Sequence, residues 1–200
     1  MYDVSACNVI EKWSQILNYN FDQMDVQKIF LHTIKTTSDT KLRWFQYRLM
    51  YRILPTQKYL YKMKIVNSPT CLFCNIEEDS IVHMLWDCSK VQCFWNKFVE
   101  WIKENFPHCS QVCLSKELII LGKKNGFYSD KVFDLLILIG KYYVYCCKVK
   151  NTVPNINVFL HIARRRFKVE RQIAISKGVY HKFVTTWSLY FGFFDRISVI

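Results

Sequence analysis

Three cysteines and one histidine within eighteen residues are the feature that most constrains how this chain can fold. Their spacing is Cys71-x2-Cys74-x8-His83-x4-Cys88. A C-x-x-C turn can present two thiolates to one tetrahedral ion, and the segment that follows would supply the other two ligands. Four protein ligands fill a tetrahedral site and leave no position for a catalytic water. The spacing therefore predicts one structural Zn²⁺ ion that staples the surrounding chain.

Other interpretations of these residue types stay open. Cysteine is often buried as a small apolar side chain, so the four residues need not meet. Cys93 can replace Cys88 as the fourth ligand. A second group of candidate ligands lies further along the chain and consists of His108, Cys109 and Cys113. Because this second group has only three members, packing or surface positions explain it better than a second metal ion.

The remaining sequence predicts a mostly α-helical fold with a small zinc-stapled turn. The chain has only five glycines and four prolines, and the prolines fall between segments of helical periodicity. A first helix is predicted after an N-cap at residues 37–39, with an apolar face of Leu42, Phe45, Leu49 and Ile53. Further helices are predicted at 56–64, 89–105, 130–149 (with Ser129 or Asp130 as its cap), 155–176 and 180–194, and 118–121 is either helix or strand.

These elements predict three regions. Residues 1–35 form a helical lead-in, residues 36–106 hold a basic helix pair and the zinc-binding region, and residues 107–200 form a helical region packed on it. The most apolar run, residues 132–147, is 16 residues long and contains Asp134 and Lys141. It is too short and too charged for a membrane span, so a buried helix is the better interpretation.

Charge indicates a polyanionic partner. The chain has 28 lysines and arginines against 16 acidic residues, a formal net charge of +12. An excess of this size favours nucleic acid first and an anionic membrane second. The N-terminus lacks the basic and apolar regions of a signal peptide. We therefore expect an intracellular protein, nuclear or cytoplasmic and not secreted, whose nine cysteines are thiols or metal ligands. Its oligomeric state stays open.

Two basic segments are candidate nucleic-acid contacts. The first contains seven positive side chains and no acidic one: Lys41, Arg43, Arg48, Arg52, Lys58, Lys62 and Lys64. Three aromatic residues interleave with them: Trp44, Tyr47 and Tyr51. Positive side chains would contact phosphates, and exposed aromatic rings could stack on unpaired bases. The alternative is a solvated helix face whose aromatic residues turn into the core.

The second basic segment spans residues 161–172. Arg164, Lys168 and Arg171 share one helical face, which Arg165 and Arg166 widen. We predict nucleic-acid contact here as well. A surface helix that covers the core with arginine stems is the plainer alternative, and an amphipathic membrane helix is a third.

Residues 36–98 resemble the zinc-binding region of non-LTR (LINE-type) retrotransposon reverse transcriptases. The resemblance lies in a linked series of motifs: Arg52-Ile53-Leu54-Pro55, Ser68-Pro69-Thr70-Cys71, Glu77-Glu78-Asp79 before His83, then Cys88 and Phe94-Trp95. It covers about a third of the chain closely. The remainder looks like the downstream tail of the same proteins, with weaker motifs. The resemblance implies an accessory part that helps to grip template RNA or target DNA, and a polymerase core as a further partner.

The chemistry of such elements is missing from this sequence. A reverse transcriptase needs paired acidic residues on a Tyr/Phe-x-Asp-Asp turn, and no Asp-Asp pair occurs. We therefore expect a non-catalytic chain. The rival interpretations are a zinc-stapled protein-interaction module, an enzyme with a catalytic zinc, and a decayed fragment without a present role. The interaction module would present an aromatic surface of Trp86, Phe94, Trp95 and Trp101.

Overall fold

The computed structural model describes residues 4–19, 23–122 and 130–195, and within these ranges the chain is helical and contains no β-strand. The α-helices, in chain order, are α1 Val4–Leu17, α2 Gln23–Thr36, α3 Thr40–Met50, α4 Gln57–Lys62, α5 Ser89–Asn105, α6 Lys116–Leu121, α7 Lys131–Val149, α8 Ile156–Ser176, α9 Tyr180–Trp187 and α10 Phe191–Phe194. A π-helical turn at His83–Asp87 precedes α5, and 3-10 turns lie at Pro107–Cys109 and Ser188–Tyr190. The predicted fold class is confirmed.

The core is built around α7, which is buried on almost all sides. It contacts α2, α3, α6, α8 and α9 as well as the π-helical turn. One hydrophobic cluster draws members from all three predicted regions, and the boundaries at residues 36 and 107 stay predictions. In the described part of the chain no helix has the length and apolar character needed to cross a membrane. The apolar run at 132–147 lies in α7 and most of its residues are buried, so the predicted buried helix is confirmed.

Polar side chains start most of the helices where the sequence predicts them. Asp39 caps α3 and accepts hydrogen bonds from the amides of Lys41 and Leu42. Asp130 caps α7 through the amide of Phe133, while Ser129 lies outside the described residues. Thr56, Ser115 and Asn155 cap α4, α6 and α8 in the same way. Each cap satisfies an amide that the first helical turn leaves unpaired.

The end of α3 differs from the prediction. The helix ends at Met50, and Arg52 adopts a left-handed conformation with φ of 57°. The amide of Arg52 donates to the carbonyl of Leu49 and the amide of Ile53 to that of Arg48, which is the hydrogen-bond pattern of a Schellman motif. Ile53 is thereby turned out of the helix and is 45% exposed, so its predicted place on the apolar face is wrong.

The aromatic surface expected of the protein-interaction module is not exposed in the structure. Phe94, Trp95 and Trp101 are buried in the core, and Trp86 is partly buried and packs against it. The indole of Trp95 donates to the carbonyl of Leu85, which gives its polar atom a partner inside the protein. The structure buries both Phe94 and Trp95, since α5 packs against the π-helical turn and α8.

Candidate metal centre

A short turned segment supplies the first half of the site. The amide of Cys71 donates to the carbonyl of Glu77 at 2.8 Å, and the amide of Asp79 donates to that of Pro69 at 2.8 Å. Between them the chain reverses at Asn75, whose left-handed φ of 56° suits an asparagine. These bonds hold the Cys71 and Cys74 side chains on the same side of the turn, as a C-x-x-C metal site requires.

The segment before α5 supplies the second half. Ser80 starts the turn, and its hydroxyl accepts a hydrogen bond from the amide of His83 at 3.0 Å. Cys88 follows the π-helical turn as the N-terminal cap residue of α5. The wider π-helical turn brings His83 and Cys88 toward the same side, although four residues separate them. The spacing of His83 and Cys88 in the sequence does not by itself indicate the π-helical form of this turn.

The four side chains converge on one point. Their candidate ligand atoms all lie within 4.8 Å of one another. The sulfurs of Cys71 and Cys88 are 3.9 Å apart, and the Cys74 sulfur lies 3.4 Å from Nε2 of His83. Zinc–sulfur bonds of about 2.3 Å in a tetrahedron separate two sulfurs by about 3.8 Å. The arrangement therefore fits a tetrahedral ion with no open position.

Electrostatics at the site favour ionised sulfur at two positions. The Cys71 thiol contacts the Cys88 sulfur, which lowers the pKa of Cys88 and, together with burial, raises the pKa of Cys71. Burial alone would raise the pKa of Cys74, but amide donors at Glu77 and Ile76 lower it on balance. A bound cation would take each coordinating cysteine as a thiolate.

A carboxylate stands behind the histidine. Oε2 of Glu77 lies 3.1 Å from Nδ1 of His83, while the opposite ring nitrogen faces the cysteines. Metal-bound histidines commonly have such a carboxylate on the second nitrogen, which fixes the ring and increases the basicity of the ligand. The acidic residues before His83 belong to the motifs of the resemblance, but the sequence does not indicate that Glu77 contacts the histidine.

Residues 11–95 match the family model described as zinc-binding in reverse transcriptase. Residues 11–95 are thus similar to the zinc-binding domain of reverse transcriptases. The matched segment contains all four converging residues, Cys71, Cys74, His83 and Cys88. It begins well before residue 36, where the resemblance starts, and includes the second half of α1 and all of α2. The predicted similarity to a reverse-transcriptase zinc-binding region is confirmed for this part of the chain, and the LINE type stays a prediction.

The rival metal ligands do not assemble. In the ranges that the structure describes, the only group of three or more candidate ligands is the one at the zinc-binding domain. Cys93 is exposed on α5 and is not a member of it. Cys109 is buried beside the hydroxyl of Tyr190, whereas Cys113 is exposed. Nε2 of His108 lies 3.5 Å from Asp130 instead of facing a cysteine.

In the first basic segment, some positive side chains contact other parts of the protein and others are exposed to solvent. Arg43 donates to the carbonyls of Thr37 and Ile34 at the end of α2, so its guanidinium supports the fold. Lys58 pairs with Glu78. The remaining predicted contacts are exposed or partly exposed: Lys41, Arg48, Arg52 and Lys62.

The second basic segment is more involved in packing. The guanidinium of Arg164 lies 4.8 Å from the ring centre of Phe193, and Arg171 pairs with Asp195 at 3.1 Å. Both contacts tie α8 to the C-terminal residues. Arg165 and Lys168 stay exposed on the same helix. The predicted shared face of α8 is therefore partly covered by the chain itself.

Two buried or partly buried pairs of polar side chains join distant parts of the chain. Lys148 on α7 pairs with Asp79 beside the zinc-binding turn. His32 on α2 pairs with Asp134 on α7 at 2.8 Å, although no partner for this histidine was visible in the sequence. Both pairs join residues far apart along the chain, and neither periodicity nor local spacing indicates such partners.

Proposed function

We propose that this chain is the non-catalytic accessory part of a LINE-type reverse transcriptase and that it grips the backbone of RNA or DNA. The observation that carries the proposal is the surface of α3. This helix has no acidic residue, and its Lys41 and Arg48 side chains lie beside an exposed Trp44. A surface that is merely solvated usually mixes both signs of charge, whereas an unmixed positive surface suits phosphates.

The zinc site would have a structural part in this function. Four protein ligands leave no position for a substrate or a catalytic water, so the ion would stabilise the turn without taking part in a reaction. One Zn²⁺ held by Cys71, Cys74, His83 and Cys88 would fix this turn against α5. Backbone contacts dominate in the proposed mode of binding, so we expect weak sequence specificity and a strong dependence on salt.

The family match supports a reverse transcriptase as the parent protein, and the resemblance of residues 36–98 supports the LINE type. A polymerase core would then be a further partner. Reduced cysteines at a zinc site suit an intracellular location, nuclear or cytoplasmic.

The proposal is tested by the affinity of the zinc-loaded chain for a structured RNA and for a DNA duplex over a series of salt concentrations. We expect the logarithm of the association constant to fall linearly with the logarithm of salt concentration. The double variant Arg48→Ala with Arg52→Ala should bind more weakly. It should also reduce the slope by about 1.4 to 1.8, since each phosphate contact contributes about 0.7 to 0.9.

A matched control removes two positive charges elsewhere. Lys97 and Lys103 are exposed on α5, outside both basic segments. Lys97→Ala with Lys103→Ala should keep the wild-type slope. Equal losses in the two double variants would mean that net charge, and not the α3 surface, governs binding. A folded, zinc-loaded chain that binds neither nucleic acid at physiological salt would contradict the proposal.

A further inference from the structure

An open groove of about 620 Å³ lies between α2 and α3. Its exposed walls are largely apolar, with Leu31 and Ile34 from α2 and Trp44 and Tyr47 from α3. The Trp44 side chain is 64% exposed. Large apolar side chains that are exposed together, and not singly, indicate a surface that binds something.

The aromatic residues of α3 form a ladder along the helix. The ring centres of Trp44 and Tyr47 are 5.0 Å apart and those of Tyr47 and Tyr51 are 4.4 Å apart. Their planes are inclined by only 31° and 34°. Residues at these spacings lie on one helical face, and Lys41 and Arg48 lie along the same face. The aromatic ladder of Trp44, Tyr47 and Tyr51 is thus flanked by two positive charges.

A second cleft, of about 430 Å³, adjoins the groove. The groove and the cleft share Ile34 and Arg43. The cleft also has positive side chains from α2, α7 and α9, which are Lys35, Lys131 and Lys182. Its wall includes the carboxylate of Glu170, which already accepts hydrogen bonds from Arg166 and from the Trp187 indole. The apolar groove therefore continues into a positively charged cleft.

We propose that the groove binds unpaired bases of a single-stranded nucleic acid, with one base stacked on Trp44. The phosphates of the same strand would contact Lys41 and Arg48 and run toward the lysines of the adjoining cleft. This inference rests on the proposed function and adds to it the substrate class and the contact with a base. Aromatic rings beside a positive groove suit single strands because every base offers a flat apolar face.

An apolar protein segment is the other class of ligand that such a groove could take. The charge around it favours a nucleic acid. Positive side chains stand at the ladder and in the cleft, and α3 contributes no acidic group. A base inside a duplex is already stacked on its neighbours and cannot use Trp44. Single strands should therefore bind more tightly than duplexes with the same number of phosphates.

The test uses the zinc-loaded full chain and fluorescence anisotropy with a pyrimidine oligonucleotide of about 12 nucleotides. A strand of the same length with abasic sites keeps the phosphates and removes the bases. Trp44→Ala should lower the affinity for the complete strand by about 5- to 100-fold, the range typical of one stacked base. It should leave the affinity for the abasic strand and the salt slope unchanged. Trp44→Phe should retain most of the binding.

Tyr61→Ala provides the matched control, since Tyr61 is an exposed aromatic residue on α4 outside the aromatic ladder. We expect wild-type affinity from this variant. Circular dichroism should show unchanged folding in both alanine variants because both side chains are exposed.

The outcomes separate this inference from the proposed function. If Arg48→Ala with Arg52→Ala weakens binding while Trp44→Ala does not, the proposed contact with the nucleic-acid backbone is supported and base stacking on α3 is excluded. If Trp44→Ala weakens binding to the abasic strand as much as to the complete strand, the tryptophan does not contact a base and the inference fails. If no nucleic acid binds, both proposals fail and a protein ligand for the groove is the explanation to pursue.

Discussion

The ammonium group of Lys148, near the end of α7, lies 2.9 Å from Oδ2 of Asp79, beside the zinc-binding turn. Both side chains are at least 95% buried. The same ammonium donates to the carbonyl of Pro55, and the carboxylate accepts from the amide of Gln57. This pair connects α7 to Asp79 and to the start of α4. It therefore holds the segment around the candidate metal centre against the hydrophobic core.

Removing one partner of this ion pair should be costly. We expect Lys148→Ala to lower the free energy of unfolding by about 3 to 5 kcal/mol, since it leaves the carboxylate of Asp79 buried without a cation. Urea denaturation of the zinc-loaded chain measures the loss. The neighbouring pair of Lys58 and Glu78 is exposed, and Lys58→Ala should cost less than about 1 kcal/mol. If both variants lose the same free energy of unfolding, burial does not make the Lys148–Asp79 pair more stabilising than the exposed pair.

The part of the fold that the sequence predicts is the part set by local signals. The four converging residues of the candidate metal centre, the caps at Asp39 and Asp130 and the bounds of α5 all follow from spacing within a few turns. The sequence does not indicate the end of α3 at Met50, because Arg52 takes a left-handed conformation that usually belongs to glycine. Lys148 could not be paired with Asp79 because tertiary packing alone brings them together.

Zinc content should depend on Cys88 and not on Cys93. Cys88→Ser is expected to purify with less than one zinc per chain and to unfold at a lower temperature, because structural zinc contributes several kcal/mol or more to folding. Cys93→Ser should retain one zinc and the wild-type melting temperature, since Cys93 is exposed outside the site. Elemental analysis and thermal denaturation, with and without a chelator, provide both measurements. Full zinc content in Cys88→Ser would exclude the proposed ligand set.

Glu77 should tune the affinity of the site without being a ligand. Glu77→Ala removes the carboxylate from Nδ1 of His83, and losses of this kind typically reduce metal affinity by about 10- to 100-fold. Competition with a chromophoric zinc chelator measures the change. Glu78→Ala is the adjacent control, because the Glu78 side chain pairs with Lys58 instead. Equal affinities in the two variants would mean that Glu77 does not orient the histidine.

Close packing between α5 and α7 depends on Gly140. A methyl group at this position would lie 2.8 Å from Cη2 and 3.1 Å from Cζ3 of the buried Trp95 ring. We expect Gly140→Ala to lower the free energy of unfolding by about 1 to 3 kcal/mol through overpacking, even though alanine is the better helix former. Asn96→Ala, an exposed change on α5, should stay within about 0.5 kcal/mol of wild type. A stabilised Gly140→Ala variant would mean that the tryptophan ring can move aside.

The buried lysine of α7 should make stability depend on pH. Lys141 is 3% exposed, and its ammonium donates to Oε1 of Gln46 at 2.7 Å. Burial lowers its pKa from 10.5 to about 7, while Asp134 acts in the opposite direction. The unfolded chain therefore binds more protons than the folded chain between these two values. Stability should rise with pH from about 7 upward, by up to about 1.4 kcal/mol per pH unit, because the penalty of burying the charged form disappears.

Lys141→Met isolates this contribution because it removes the titrating group and keeps an unbranched side chain of similar length. Urea denaturation of both proteins from about pH 6 to about pH 8.5 gives the free energy of unfolding of each. The wild-type value minus the variant value should be constant below pH 7 and should rise above it by about 2 kcal/mol. The lost bond to Gln46 shifts the difference by a fixed amount at every pH and does not alter its slope. His32 and Asp134 are present in both proteins, so the contact between them is common to the comparison. Parallel stability curves over this range would show that Lys141 stays protonated in the folded chain.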